Sequence, residues 1–168
     1  RSGVSGGALW YVSTAAGTRL DLRNGTLQSN EVVSSDSGSK IGGGAEVRVS
    51  AGATATLRDL AFLANRVEET GTAIPRTCFG GALYLEVASS GSSGRCLRCI
   101  FQSNSVTNVS AADALGGALA VRPTQDGYIE ITDSRFLLNS ATAVSPWKAV
   151  PALASGQFGG WLRADRLL

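Results

Sequence analysis

Short segments in which apolar and polar side chains alternate recur along this chain, each opened by a glycine pair and followed by polar bends. After Gly80-Gly81, Leu83, Leu85 and Val87 alternate with Tyr84 and Glu86. Leu9 and Tyr11, then Ala45, Val47 and Val49, then Leu119 and Val121 hold the same places elsewhere. Trp10, Glu46 with Arg48, and Ala120 with Arg122 stand between them. A period of two puts alternate side chains on opposite faces, so each segment reads as a strand with one apolar face.

The alternating segment is one part of a longer repeat. Copies run from Gly6 to Asn30, Gly42 to Asn65, Gly80 to Asn104 and Gly116 to Asn139, distances of 24, 23, 24 and 23 residues. They start 36, 38 and 36 residues apart, and self-similarity at such a period marks a repeat architecture. Eight residues before the closing Asn stand Leu22, Leu57, Cys96 and Ile131; three before it stand Leu27, Phe62, Phe101 and Phe136. Two residues after it come Val32, Val67, Val106 and Ala141. Asn24, Asp59, Arg98 and Asp133 share a polar position between the first two of these columns, which suits a bend between two strands.

Three short strands per copy cannot enclose a core of their own, but coils laid one on another turn each inward column into a continuous stack. Phe62, Phe101 and Phe136 would then lie about 4.8 Å apart, the spacing of hydrogen-bonded strands. Asn30, Asn65, Asn104 and Asn139 would form an amide ladder at one corner. Glycine pairs fit a corner where a side chain would obstruct the bend or the backbone needs positive φ. The reading is an all-β, right-handed parallel β-helix of about four to five coils, one domain over residues 1–168. Its repeats span 6–41, 42–79, 80–115 and 116–158, with a partial copy over 159–168 opened by Gly159-Gly160.

These residues resemble a known family. GGAL at Gly6, Gly80 and Gly116, with FLAN, FQSN and FLLN ending at Asn65, Asn104 and Asn139, is similar to the GGA[ILV] and FxxN pairs of the polymorphic outer membrane protein repeat. GGGA in the second copy and LQSN in the first depart from the pattern. The resemblance covers about residues 6 to 141 and implies a β-helical passenger region with an adhesive role at a cell surface.

Composition narrows the function classes. Fifteen basic and 13 acidic residues leave the chain near neutrality, without the basic footprint that nucleic acid or an anionic membrane requires. No run of 18 apolar residues is present to span a membrane as a helix. With 21 Gly and 4 Pro, the chain suits many tight bends in an ordered scaffold. It opens at Arg1 without a Met, and its first copy lacks a polar cap, so a longer parent chain is expected. Further coils of that chain, or other protein chains, are expected at both ends.

Candidate chemistry is sparse. Three cysteines and no histidine cannot supply the four ligands of a structural zinc site, and neither cofactor nor metal is expected. Cys96 replaces Leu or Ile in an inward column and reads as a small buried apolar residue; in a secreted protein Cys78 can instead pair with Cys99 or Cys96. Glu68-Glu69 reads as a solvated pair on a return loop. Asn24-Gly25-Thr26 and Asn108-Val109-Ser110 carry the glycosylation sequon, the first doubling as an Asn-Gly turn with Gly25 at positive φ, the second on a loop read as exposed. Trp10, Tyr84 and Trp147 are candidates for contact with carbohydrate or a protein partner, the alternative being local packing between coils. The connection after Asn139, which holds Pro146, Trp147 and Pro151, is expected to pack across the helix side or a neighbour.

Glycosidic hydrolysis needs two carboxyl groups about 5 to 9.5 Å apart. Asp59 and Asp133 share a column but stand two coils apart with Arg98 between them, and no histidine is present to serve as a general acid or base. The sequence therefore points to a non-catalytic extracellular or cell-surface scaffold that presents loops to protein partners. The alternative is a carbohydrate-binding module or a remnant of a pectin-lyase-like polysaccharide-degrading enzyme.

Overall fold

The computed structural model describes residues 4–35, 38–72, 76–110, 112–143, 149–150, 153–155 and 161–165. The described residues form strands and no helix, and every strand pairs in parallel with its counterpart in the next coil. Four sheets run along the stack. The first contains Val4–Ser5, Lys40–Ile41, Cys78–Phe79, Ala114–Leu115 and Ala149–Val150. The second contains Leu9–Ser13, Ala45–Ser50, Leu83–Ala88, Leu119–Thr124 and Leu153–Ser155. In the third, Arg19–Gln28 and Thr54–Leu63 are followed by the split strands Ser93–Leu97 with Ile100–Gln102 and Tyr128–Thr132 with Arg135–Leu137, then Trp161–Asp165. Glu31–Ser34, Arg66–Glu69, Ser105–Asn108 and Ser140–Ala143 make the fourth. The chain is a parallel β-helix.

Each complete coil has a side beyond the three strands that periodicity predicts. The additional strand, two residues long ahead of each glycine pair, is too short to show an alternation. Register follows the alignment that starts the second copy at Gly42: Ala45 pairs with Leu83 and Leu83 with Leu119. Phe62 pairs with Phe101 and Phe101 with Phe136. The rings stack at centroid distances of 4.9 and 4.8 Å, and Phe62 and Phe101 are fully buried. Ala45, Leu57, Leu83, Leu85, Cys96, Leu119 and Ile131 complete the same continuous core.

At the Asn corner, hydrogen bonding is complete in the middle of the stack. Asn65 Oδ1 accepts from the backbone N–H of Asn30 at 3.1 Å and from its Nδ2 at 2.9 Å. Asn65 Nδ2 donates to the Leu27 carbonyl at 2.8 Å and to Asn104 Oδ1 at 3.0 Å. Asn104 repeats the arrangement, donating to the Phe62 carbonyl and to Asn139 Oδ1, both at 2.9 Å. An amide has two donor hydrogens and two acceptor sites, so Asn65 and Asn104 are fully satisfied while fully buried.

Backbone geometry at the corners explains the residue types there. Gly80 has φ of +61°, and a Cβ at Gly81 would lie 2.0 Å from the Gly117 carbonyl oxygen. One member of the pair supplies the left-handed turn and the other makes room for the next coil. The polar bend column is left-handed too: Asn24, Asp59, Arg98 and Asp133 have φ between 52° and 54°. Asn24, and not Gly25, therefore takes the positive φ of the Asn-Gly bend. Asn and Asp tolerate this conformation through local side-chain hydrogen bonding. Arg98 holds it while its guanidinium grips Asp59 of the coil below at 2.7 Å through two nitrogens.

Candidate functional site on the outer face of the second sheet

Between the inward positions of the second sheet, two outward columns run along the stack. Trp10, Glu46, Tyr84 and Ala120 make one, and Val12, Arg48, Glu86 and Arg122 the other. Outward positions on a sheet are ordinarily wet, yet Glu46 is 1% exposed and Tyr84 2%. The cause is the first sheet, which meets the second at the glycine pair and brings Ile41 and Phe79 against this face. Phe79 and Tyr84 make a tilted ring contact at 5.6 Å. Tyr84 is thus a packed residue and not an exposed contact, because its neighbour Phe79 sits on a strand that the alternation does not reveal.

Charge is concentrated beside that apolar corner. Arg48 pairs with buried Glu46 and lies 3.4 Å from Glu86, while Arg122 reaches Glu86 at 3.8 Å. The Arg48 guanidinium carbon stands 5.3 Å from the Tyr84 ring centroid, and the Tyr84 hydroxyl donates to Glu86 at 3.1 Å. Burial, reinforced by the Glu86 charge, pushes the Tyr84 hydroxyl up to about 12. One oxygen of Glu46, Oε2, is buried without a hydrogen-bond partner. In the first coil of the same face Trp10 is 62% exposed and Val12 39%. A notch of about 160 Å³ lined by Val12, Ser13, Arg48, Ser50, Glu86 and Ala88 adjoins them. An exposed indole above an ion-pair network can take a flat polar ligand such as a sugar ring. Trp147 lies outside the described residues.

The remaining candidates fall elsewhere. All three cysteines are buried free thiols. Cys96 and Cys99 point into the main core, whereas Cys78 packs with Val32, Val67 and Val106 in a separate cluster, so Cys78 does not pair with either. Burial, with the Glu69 charge next, pushes the Cys78 thiol up to about 12. The neighbouring Cys99 thiol, together with burial, drives the Cys96 thiol above its usual range, while Cys99 Sγ lies 3.7 Å from the Leu57 carbonyl and 3.6 Å from that of Leu97.

The two sequons differ. Asn24 is exposed on its bend. Asn108 is 1% exposed, and its Nδ2 donates to the carbonyls of Arg76, Ala112 and Asp113 while its Oδ1 accepts from Ser110. The segment after the third coil folds back over Asn108, so this sequon has no room for a glycan in the folded protein.

Glu69 also departs from its expected place. It is 1% exposed and pairs with fully buried Lys40 at 2.8 Å, while Gly71 donates its N–H to the other carboxylate oxygen at 2.7 Å. Sequence reasoning missed this pair, although two signals were present. Val67 faces inward, so period two carries Glu69 inward as well, and Lys40 is the register partner of buried Cys78. The carboxylate column on the outer bend is an ion-pair stack: hydrogen bonding from Arg98 holds the Asp59 carboxyl below the usual carboxylate range.

No family model, curated protein or solved structure matches this chain.

Proposed function

We propose that this chain is a non-catalytic scaffold of the extracellular space or cell surface, of the polymorphic outer membrane protein repeat type, which presents its loops to protein partners. The observation that carries the reading is the amide ladder: Asn30, Asn65, Asn104 and Asn139 join four successive coils through hydrogen bonds of 2.9 to 3.0 Å between side chains. A stack bonded from coil to coil resists bending and proteolysis and holds its loops at regular intervals. Its outer bend carries ion pairs between coils, such as Arg98 with Asp59, that add register.

The test is adhesion. Beads coated with the protein are expected to be retained on cell or matrix surfaces under flow, and retention is expected to survive Trp10→Ala. Absence of retention on every surface overturns the reading.

Exposure of Trp10 beside the Glu46 and Arg48 network favours a second reading, a carbohydrate-binding face. In that case binding on a glycan array would be lost in Trp10→Ala with the circular dichroism spectrum unchanged, and bead retention would be lost with it.

A further inference from the structure

Inside the third sheet each coil bends at a single left-handed residue, and a groove follows that bend along the outside. Asn24, Asp59 and Arg98 supply the bend in three successive coils, with φ of 52°, 54° and 52°. The strand beyond it carries Thr26, Ala61 and Ile100, register partners that make a second outward file. Between the two files lies a space of about 350 Å³, which Gly25 and Leu60 also line. That volume is at the lower end of sites that hold small molecules. The groove runs on the flank of the stack, so coils laid above or below do not cover it.

Its two walls differ in chemistry. One carries the Asn24 amide and the ion pair of Arg98 with Asp59, whose side chains are 53% and 34% exposed and so within reach of a ligand. The two-nitrogen grip of Arg98 leaves each Asp59 oxygen a further acceptor site. The other wall carries the Thr26 hydroxyl, the Ala61 methyl and Ile100, which is 38% exposed. Neither the Asn24 amide nor the Thr26 hydroxyl has a hydrogen-bond partner among the described residues. Backbone groups of these strands are engaged in pairing from coil to coil, so the flank offers no free edge to an extended peptide. Carboxylate and guanidinium cancel across the wall, which leaves no net charge to call for an ionic ligand.

We propose that this groove binds a neutral oligosaccharide. A sugar ring has an apolar C–H face and a rim of hydroxyls, each of which donates one hydrogen bond and accepts others. Asp59 accepts from that rim, Asn24 and Thr26 both donate and accept, and Ala61 with Ile100 receives the C–H face. Coils about 4.8 Å apart repeat these places in register, so a linear chain of sugars lying along the stack meets the groove coil by coil. The site is on the third sheet and is separate from the Trp10 face of the second. It goes beyond the scaffold reading, which assigns the flank no ligand.

The probes are linear glucan, mannan, xylan and chitin oligosaccharides, titrated into the intact protein by calorimetry, with an oligogalacturonate as the charged comparison. Saturable binding of at least one neutral chain is expected below about 1 mM. Ala61→Trp, which fills the groove from an outward position, is expected to abolish it. Asp59→Asn and Thr26→Val keep the side-chain shape and are expected to weaken it about threefold or more each, while Trp10→Ala leaves it unchanged. Circular dichroism and urea midpoints check that every variant folds; should Ala61→Trp fail to fold, the two shape-conserving changes decide. No saturation with any neutral chain, binding indifferent to the groove variants, binding of the oligogalacturonate alone, or binding that Trp10→Ala removes overturns the proposal.

Discussion

Asn104 shows how much one side chain can hold in this architecture. It makes four hydrogen bonds, to Asn65 N–H, Asn65 Nδ2, the Phe62 carbonyl and Asn139 Oδ1, and water does not reach it. Replacing it with Ala orphans buried partners in two coils, and we expect Asn104→Ala to lower unfolding free energy by about 3 kcal/mol or more, read from urea melts. Tyr84 gives a pH signature. Its hydroxyl titrates near 10 unfolded and at about 12 folded, so the folded state binds the extra proton in between. Stability from this group is whole below pH 10 and is lost as pH rises toward 12, on the order of 2 to 3 kcal/mol. Urea midpoints of the parent are expected to fall faster over that interval than those of Tyr84→Phe. The ladder was legible because Asn recurs at the same place in every copy. The burial of Tyr84 was not, because a residue outside the repeat pattern of its own strand covers it.

Where the first and fourth sheets meet, the corner is held by an ion pair that neither strand discloses alone. Lys40 and Glu69 are each buried, and an unpaired charge in such a place is strongly disfavoured. Glu69→Ala, which strands Lys40, is expected to cost about 3 to 5 kcal/mol. The double change Lys40→Met with Glu69→Leu is expected to recover most of that loss, and chemical denaturation of the three variants measures both effects. If the single change were harmless, the pair would be solvated and the corner open. The adjacent acidic residues Glu68 and Glu69 looked alike in the sequence, but a strand sends neighbours to opposite faces: Glu68 meets Arg66 at 2.8 Å outside, and Glu69 meets Lys40 inside. The cysteine and glycan candidates parted for a similar reason. Cys78 and Asn108 belong to this corner and its return segment, while Cys96 and Cys99 belong to the core of the second and third sheets.

Across the whole stack, stability is expected to be graded, because each coil is held only by its neighbours. The first coil leaves Leu20, Leu22 and Leu27 partly exposed, whereas their counterparts Ala55, Leu57 and Phe62 are at most 1% exposed. Amide hydrogen exchange should therefore be slowest in Ala45–Ser50 and Leu83–Ala88 and fastest in the edge strands Leu9–Ser13 and Glu31–Ser34. Uniform protection would mean a single all-or-none unit. The repeated columns were enough to define the coils, their register, the ring stack and the amide ladder. That is so because a residue in one copy touches its equivalents in the copies on either side, making the main contacts a property of the repeat itself. Folding alone decided which outward residues are covered and which charges meet at the corner. Those outcomes depend on the angle between sheets and on two-residue strands, and neither leaves a periodic trace in the order of the amino acids.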